Sequence, residues 1–170
     1  LPKWERLLSF TKTMNKEDPL LPGKGFPKFR ATDQDGKVHN KERLMGVRYL
    51  IYLYPRDLTP GCTKQACALR DVYDEFTQLN TLVFGVSPDG AKSHRKFVDK
   101  HSLPFSLLVD KDHEVSKAFG VWGEKKFMGR TFNGVHRTSF LIGPDGKIEK
   151  TYSKVKPAEH ALQVLKDLRG

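Results

Sequence analysis

The chain has 170 residues, enough for one domain whose core needs no disulfide scaffold or metal to stay folded. Hydrophobic residues make up 38% and charged residues 29%, which excludes a disordered chain. Lys and Arg outnumber Asp and Glu by 30 to 20, a net charge of +10, yet the cations are interleaved with acids, as in Lys111-Asp112-His113-Glu114. No basic cluster and no nucleic-acid motif accompanies that charge, so a solvated basic surface is expected rather than nucleic-acid binding. The longest apolar run, Tyr49–Tyr54, falls far short of the roughly 18 residues a spanning helix needs, so no membrane partner is expected. Residues 1–20 show no apolar stretch followed by a small-residue cleavage site. The expectation is a cytoplasmic protein, with the first residue, Leu1, leaving room for a leader removed earlier.

Residues 1–21 read as an N-terminal arm packed on a domain spanning 22–170. Trp4, Leu7 and Leu8 have helical spacing, and polar Thr11–Asp18 and then Pro19 end any helix there. Asp35-Gly36 marks a hairpin between two short strands. Arg48–Tyr54 reads as a buried strand stopped by Pro55. Pro60–Leu79 carries apolar or small residues at 62, 66, 69, 72, 76 and 79, a single helical stripe. Leu82–Val86 is the next strand, and His94, Phe97, Val98 and His101 mark one face of another helix. Phe105–Val109 is a strand, followed by a short helix through Val115, Ala118 and Phe119. His136–Ile142 and Lys147–Tyr152 form a hairpin around Pro144-Asp145-Gly146. A last helix starts at Pro157, with Ala158, Ala161, Leu162, Leu165 and Leu168 facing inward. Strand–helix alternation followed by a hairpin predicts an α/β fold: a mixed central sheet with helices on both faces.

The chemistry concentrates where the strand at 48–54 leads into the helix from Pro60. Cys62 falls in the first turn, where unpaired N–H groups and the helix dipole favour a thiolate, and it shares the apolar stripe. Cys67 lies on the row 67, 71, 74 and 78 (Cys, Asp, Asp, Gln), a polar face that predicts solvent exposure. These are the only two cysteines. They offer no zinc pattern, because C-x4-C has no second pair and the histidines are far apart in sequence. Nor do they fit a static disulfide within a helix: residues five apart have Cα atoms about 8.6 Å apart, beyond the bridging limit of about 7 Å. Either the thiols never meet or the helix opens when they do. Thr59, just before Pro60, reads as an N-cap. Arg137 shares a mostly apolar strand face with Val135, Ser139 and Leu141, and a buried guanidinium there needs an anion beside it.

The segment Pro55-x-x-x-Thr59-x-x-Cys62, together with Arg137 in His136-Arg137-Thr138-Ser139-Phe140, resembles the peroxiredoxins over residues 22–168. Within that family the chain is most similar to the bacterioferritin comigratory protein, or PrxQ, branch. Thr59-Pro60-Gly61-Cys62, Ala66-Cys67 and Phe119-Gly120-Val121-Trp122-Gly123-Glu124-Lys125 carry this closer likeness. The resemblance implies a thioredoxin-like fold and a thiol peroxidase acting on hydroperoxides. Cys62 would attack the peroxide and become a sulfenic acid, and Cys67 would close an intramolecular disulfide. Arg137 would stabilise the thiolate and, with Thr59 and the Cys62 N–H, position the peroxide, while Pro55 would shield the thiolate from water. Thioredoxin or a similar dithiol would restore the thiols. No metal, haem or flavin cofactor is implied, and an intramolecular pair removes the chemical need for a dimer, so a monomer is expected. Two readings compete. A thioredoxin-like protein disulfide oxidoreductase would need Cys-x-x-Cys in place of Cys-x4-Cys, and a basic nucleic-acid-binding or chaperone-like protein would make the cysteines incidental.

Overall fold

The computed structural model describes residues 20–170. The predicted N-terminal arm, with Trp4, Leu7 and Leu8, therefore lies outside the described residues except for Leu20 and Leu21. The elements run in chain order β1 (Arg30–Thr32), β2 (Val38–Asn40), β3 (Arg48–Leu53), α1 (Pro60–Asp71), α2 (Tyr73–Gln78), β4 (Thr81–Ser87) and α3 (Ala91–His101). They continue with β5 (Ser106–Val109), α4 (Glu114–Ala118), β6 (Trp122–Phe127), β7 (Arg130–Val135), β8 (Thr138–Ile142), β9 (Ile148–Tyr152) and α5 (His160–Arg169).

Five strands make the central sheet in the order β5-β4-β3-β8-β9. β3 pairs parallel with β4, and β4 with β5, whereas β8 is antiparallel to both β3 and β9. A buried strand between two neighbours must bury both its faces, which is why Arg48–Leu53 carries apolar residues without alternation. Leu50 and Tyr52, with Tyr54 just beyond the strand, face a cluster containing Cys62, Ala66 and Leu69 of α1, Phe76 of α2, Phe97 of α3, and Val164 and Leu165 of α5. Tyr49, Ile51 and Leu53 face the opposite cluster, with Phe26, Phe29, Val115 of α4 and Phe119. Helices thus cover both faces, as predicted.

Outside the site, three elements depart from the sequence expectation. The single helix 60–79 is two, because Val72 leaves helical geometry (φ −116°, ψ 16°) between α1 and α2. The apolar stripe continues across this break, with Phe76 fully buried. The last helix begins at His160 rather than Pro157, since Glu159 and His160 both donate their N–H to the Lys156 carbonyl in a turn. The inward stripe is accordingly His160, Ala161, Val164 and Leu165, and Ala158 and Leu162 are exposed. The third is an unpredicted hairpin, β6–β7, which reverses through Met128 and Gly129, both with positive φ (51° and 77°), the geometry of a two-residue primed turn. Its tip exposes Phe127 and Met128.

Candidate active site

The site is built where β3 ends. Tyr54 N–H still donates to the Val86 carbonyl (3.0 Å), and then Pro55, with no N–H to give, takes the chain out of the sheet. The loop 55–59 is tight, and Leu58 is forced into the left-handed region (φ 62°), costing roughly 1–2 kcal/mol for a residue with a side chain. A buried polar network holds it there. Asp57 accepts from the Tyr54 hydroxyl (2.6 Å) and the Ser93 hydroxyl (2.8 Å), and its Oδ2 lies 2.6 Å from His94 Nδ1. His94 Nε2–H donates to the Leu108 carbonyl (2.8 Å), and Asp57 N–H donates to Asp89 (2.8 Å). The loop is thereby tied to β3, α3 and β5 together.

Thr59 occupies the cap position of α1, yet its hydroxyl does not cap the helix as predicted. It donates back to the Arg56 carbonyl (2.9 Å), which the turn at Leu58 brings within reach. The first-turn N–H groups of α1 keep no side-chain partner and remain anion-attracting.

Cys62 is buried, 2% exposed, on the inner face of α1. Arg137 Nη2–H donates to its Sγ at 3.2 Å, and Nη1–H donates to Gln65 Oε1 at 2.6 Å. Gly61 permits this approach: a Cβ there would lie 3.3 Å from Arg137 Nη2. Arg137 itself is half-buried and lies in the link between β7 and β8, not on the predicted strand. All five residues of β8 are buried, Ser139 and Leu141 among them. Lys125 reaches the same neighbourhood, donating to the Val135 carbonyl (2.9 Å); burial, and then the Arg137 charge, pushes its pKa down. Tyr52 lies beneath the site with its hydroxyl held neutral, burial first and the nearby Cys62 second raising its pKa well above the ordinary value.

Cys67 is half-buried rather than solvent-facing, because the end of α3 covers it: its Sγ is 3.6 Å from His101 Nδ1. Both cysteines are free thiols on one continuous helix. Arg137 thus meets Cys62 in the first turn of α1, Thr59 sits at that helix's cap, Pro55 lies in the loop leading to it, and Cys67 points to α3. A cleft of about 740 Å³ opens beside the loop between Arg56, Thr59, Lys92, Lys96 and Lys111, but neither Cys62 nor Arg137 lines it.

Sequence reasoning missed Gln65, Asp57, Ser93 and the pairing of His94. Gln65 was legible from its i+3 spacing to Cys62, which puts a polar residue on the stripe's own face. The Asp57–His94 pair is brought together only by the fold, across 37 residues of sequence.

His160, at the start of α5, is buried, and burial, with help from the Arg137 charge, pushes its pKa down from 6.5 to about 4. Between those values the unfolded chain binds a proton that the folded chain does not, so stability drops as pH falls from about 6.5 to about 4. The full window is worth about 3 kcal/mol. Urea unfolding midpoints followed from neutral to acid pH are expected to fall across this range, and His160→Leu to flatten that part of the curve.

A mixed sheet with a thiol at the N-terminus of the helix following its central strand defines a thioredoxin-fold thiol enzyme. Residues 22–151 match the AhpC/TSA family, and the chain belongs to that family. It is 47% identical over 152 residues to "Peroxiredoxin Bcp" of Escherichia coli (strain K12), covering 89% of this chain and 97% of that protein. The corresponding protein of Bacillus subtilis (strain 168) is 41% identical over 149 residues, covering 86% and 95%. Among solved structures, Xanthomonas campestris Peroxiredoxin Q superposes with a TM-score of 0.80 at 33% identity, covering 91% of this chain and 98% of that one. Its resemblance to the Bcp/PrxQ peroxiredoxins therefore extends through sequence and fold, and the chain is a thiol-dependent peroxidase. No helix among the described residues is long and apolar enough to cross a membrane.

Proposed function

We propose that Cys62 is the peroxide-reacting thiol and Cys67 the thiol that resolves it. The Cys62 thiolate attacks one peroxide oxygen, the O–O bond breaks, and the other oxygen leaves as alcohol or water once protonated. Cys62 is then a sulfenic acid, which Cys67 converts to a disulfide with loss of water. The observation that carries this reading is the 3.2 Å contact from Arg137 Nη2 to Cys62 Sγ, a fixed cation on a buried sulfur at a helix N-terminus. Arg137 stabilises the thiolate and, with Thr59 and the Cys62 N–H, receives the peroxide oxygens, while Pro55 keeps an N–H and water away from the sulfur. Hydrogen peroxide and organic hydroperoxides are the substrates proposed. A solved structure of the Xanthomonas campestris bacterioferritin comigratory protein is described in terms of alkyl peroxide reduction activity, which supports the organic class. Thioredoxin or a similar dithiol is the proposed reductant, and the working form is a cytoplasmic monomer made of the 22–170 domain with residues 1–21 as an arm.

The test is Cys67→Ser. This variant is expected to react once with peroxide and then stall, its Cys62 sulfenic acid persisting and drifting to sulfinic acid, with thioredoxin-supported turnover lost. Turnover at the parent rate would remove Cys67 from the mechanism. Arg137→Met is expected to slow peroxide attack at least about tenfold, about 1.4 kcal/mol or more of lost transition-state stabilisation. Single-turnover rates of Cys62 oxidation measure this, and an unchanged rate would leave Arg137 without a role.

A further inference from the structure

We propose that His101 is the general base that activates Cys67 for disulfide closure, a catalytic role that rests on Cys67 being the resolving thiol. At neutral pH an ordinary cysteine is only a few per cent thiolate, so a resolving thiol without a base attacks slowly. Cys67 has a base in contact: its Sγ is 3.6 Å from His101 Nδ1, within hydrogen-bonding range for sulfur, and both side chains are half-buried. The thiol S–H donates to the imidazole, which receives the proton as the sulfur attacks.

The location of His101 favours that transfer. It is the last residue of α3, at the negative end of that helix's dipole. Among the described residues no carboxylate hydrogen-bonds its ring. Arg70 of α1, which is paired with Asp71, bonds the His101 backbone carbonyl, and Lys100 is the neighbour of His101 on α3. Phe97 meets the ring edge-on and carries no charge.

The arrangement also survives the opening of α1. Arg70 Nη1–H donates to the His101 carbonyl at 2.8 Å, tying the C-terminal part of α1 to the end of α3. Residues 60–68 can unwind while the tie at Arg70, just beyond them, keeps Cys67 near its base. The step balances: Cys67 thiolate attacks the Cys62 sulfenic sulfur, the S–S bond forms, and the S–O bond breaks. The departing hydroxide takes the proton from the imidazolium and leaves as water.

Cys62→Ser leaves Cys67 as the sole cysteine, so alkylation by iodoacetamide reads Cys67 alone. In that background His101→Gln is expected to slow alkylation at neutral pH and to match the parent at alkaline pH, where solvent removes the proton. In protein with both cysteines, one equivalent of peroxide followed by acid quench gives the ratio of disulfide closure to Cys62 oxidation. His101→Gln is expected to lower this ratio at least about tenfold at neutral pH, with the deficit closing at alkaline pH. His101→Ala is expected to recover closure when free imidazole is added. Equal neutral alkylation with and without His101, or a closure deficit of the same size at every pH, would overturn the proposal. Absence of the 62–67 disulfide in the oxidised parent removes the resolving role itself, and the closure role of His101 with it, while the alkylation result still reports whether His101 draws the proton from Cys67.

Discussion

Cys62→Ser is expected to reduce peroxide turnover to no more than a few per cent of the parent rate while leaving the fold intact. The exchange replaces sulfur with a smaller oxygen at a position 2% exposed, on a face packed by Tyr52, Ala66 and Leu69. A hydroxyl can still accept the Arg137 Nη2–H bond, so neither a cavity large enough to collapse nor an orphaned guanidinium results. On the proposed mechanism what disappears is the nucleophile, since a serine hydroxyl is a far weaker nucleophile toward an O–O bond than a cysteine sulfur. Cys67 cannot take its place, because its sulfur is turned toward His101 and away from Arg137. Peroxide consumption with excess dithiol measures the loss, and circular dichroism checks the fold. Residual turnover above a few per cent would show that the reacting thiol is not Cys62.

The parts of this architecture that are legible from sequence are those where one local rule decides. Arg48–Leu53 reads as a buried strand because a short, aromatic-rich, continuous apolar run ended by Pro55 suits a sheet interior. The start of α1 follows from Thr59-Pro60. The illegible parts are those where a distant partner decides. Thr59 folds its hydroxyl onto Arg56 rather than α1 because Leu58 is held at positive φ, and the network around Asp57 that holds the loop draws on Ser93, His94 and Leu108. The polar row through Cys67 correctly marks a face outside the core, but α3 comes back over it and leaves the thiol half-buried. β6 and β7 stayed hidden because their burial pattern lacks a clean alternation, with most residues exposed, and the pairing rests on a two-residue turn at Met128-Gly129. That hairpin carries Lys125 and delivers Arg137, so the missed element is also what explains why the guanidinium sits off the strand.

Oxidation is expected to unwind residues 60–68, with amide hydrogen exchange there rising by orders of magnitude while β3 stays protected. α1 is continuous from Pro60 to Asp71, so Cys62 and Cys67 are held on one regular helix. Five residues of ideal helix separate their Cα atoms by about 8.6 Å and turn them about 140° apart. A disulfide needs roughly 4.4–6.8 Å with converging side chains. The mismatch cannot be absorbed by rotamers, so helical bonds must break. They break at the N-terminal end, where Pro60 has no N–H and the first helical bond is Thr63 N–H to the Thr59 carbonyl (2.8 Å). Gly61 lowers the cost because it takes many backbone conformations. The other end is tied to α3 through Arg70 and the His101 carbonyl, which confines the opening. β3 has hydrogen-bonded neighbours on both edges, β4 and β8, and loses none of them. The same opening draws Cys62 away from Arg137 and brings the disulfide to the surface, where a dithiol protein can attack it. Hydrogen exchange with mass spectrometry on reduced and peroxide-oxidised protein resolves the two segments. Equal protection of 60–68 in both states would mean that the cysteines of one chain do not join each other, and would direct the search to a disulfide between two chains.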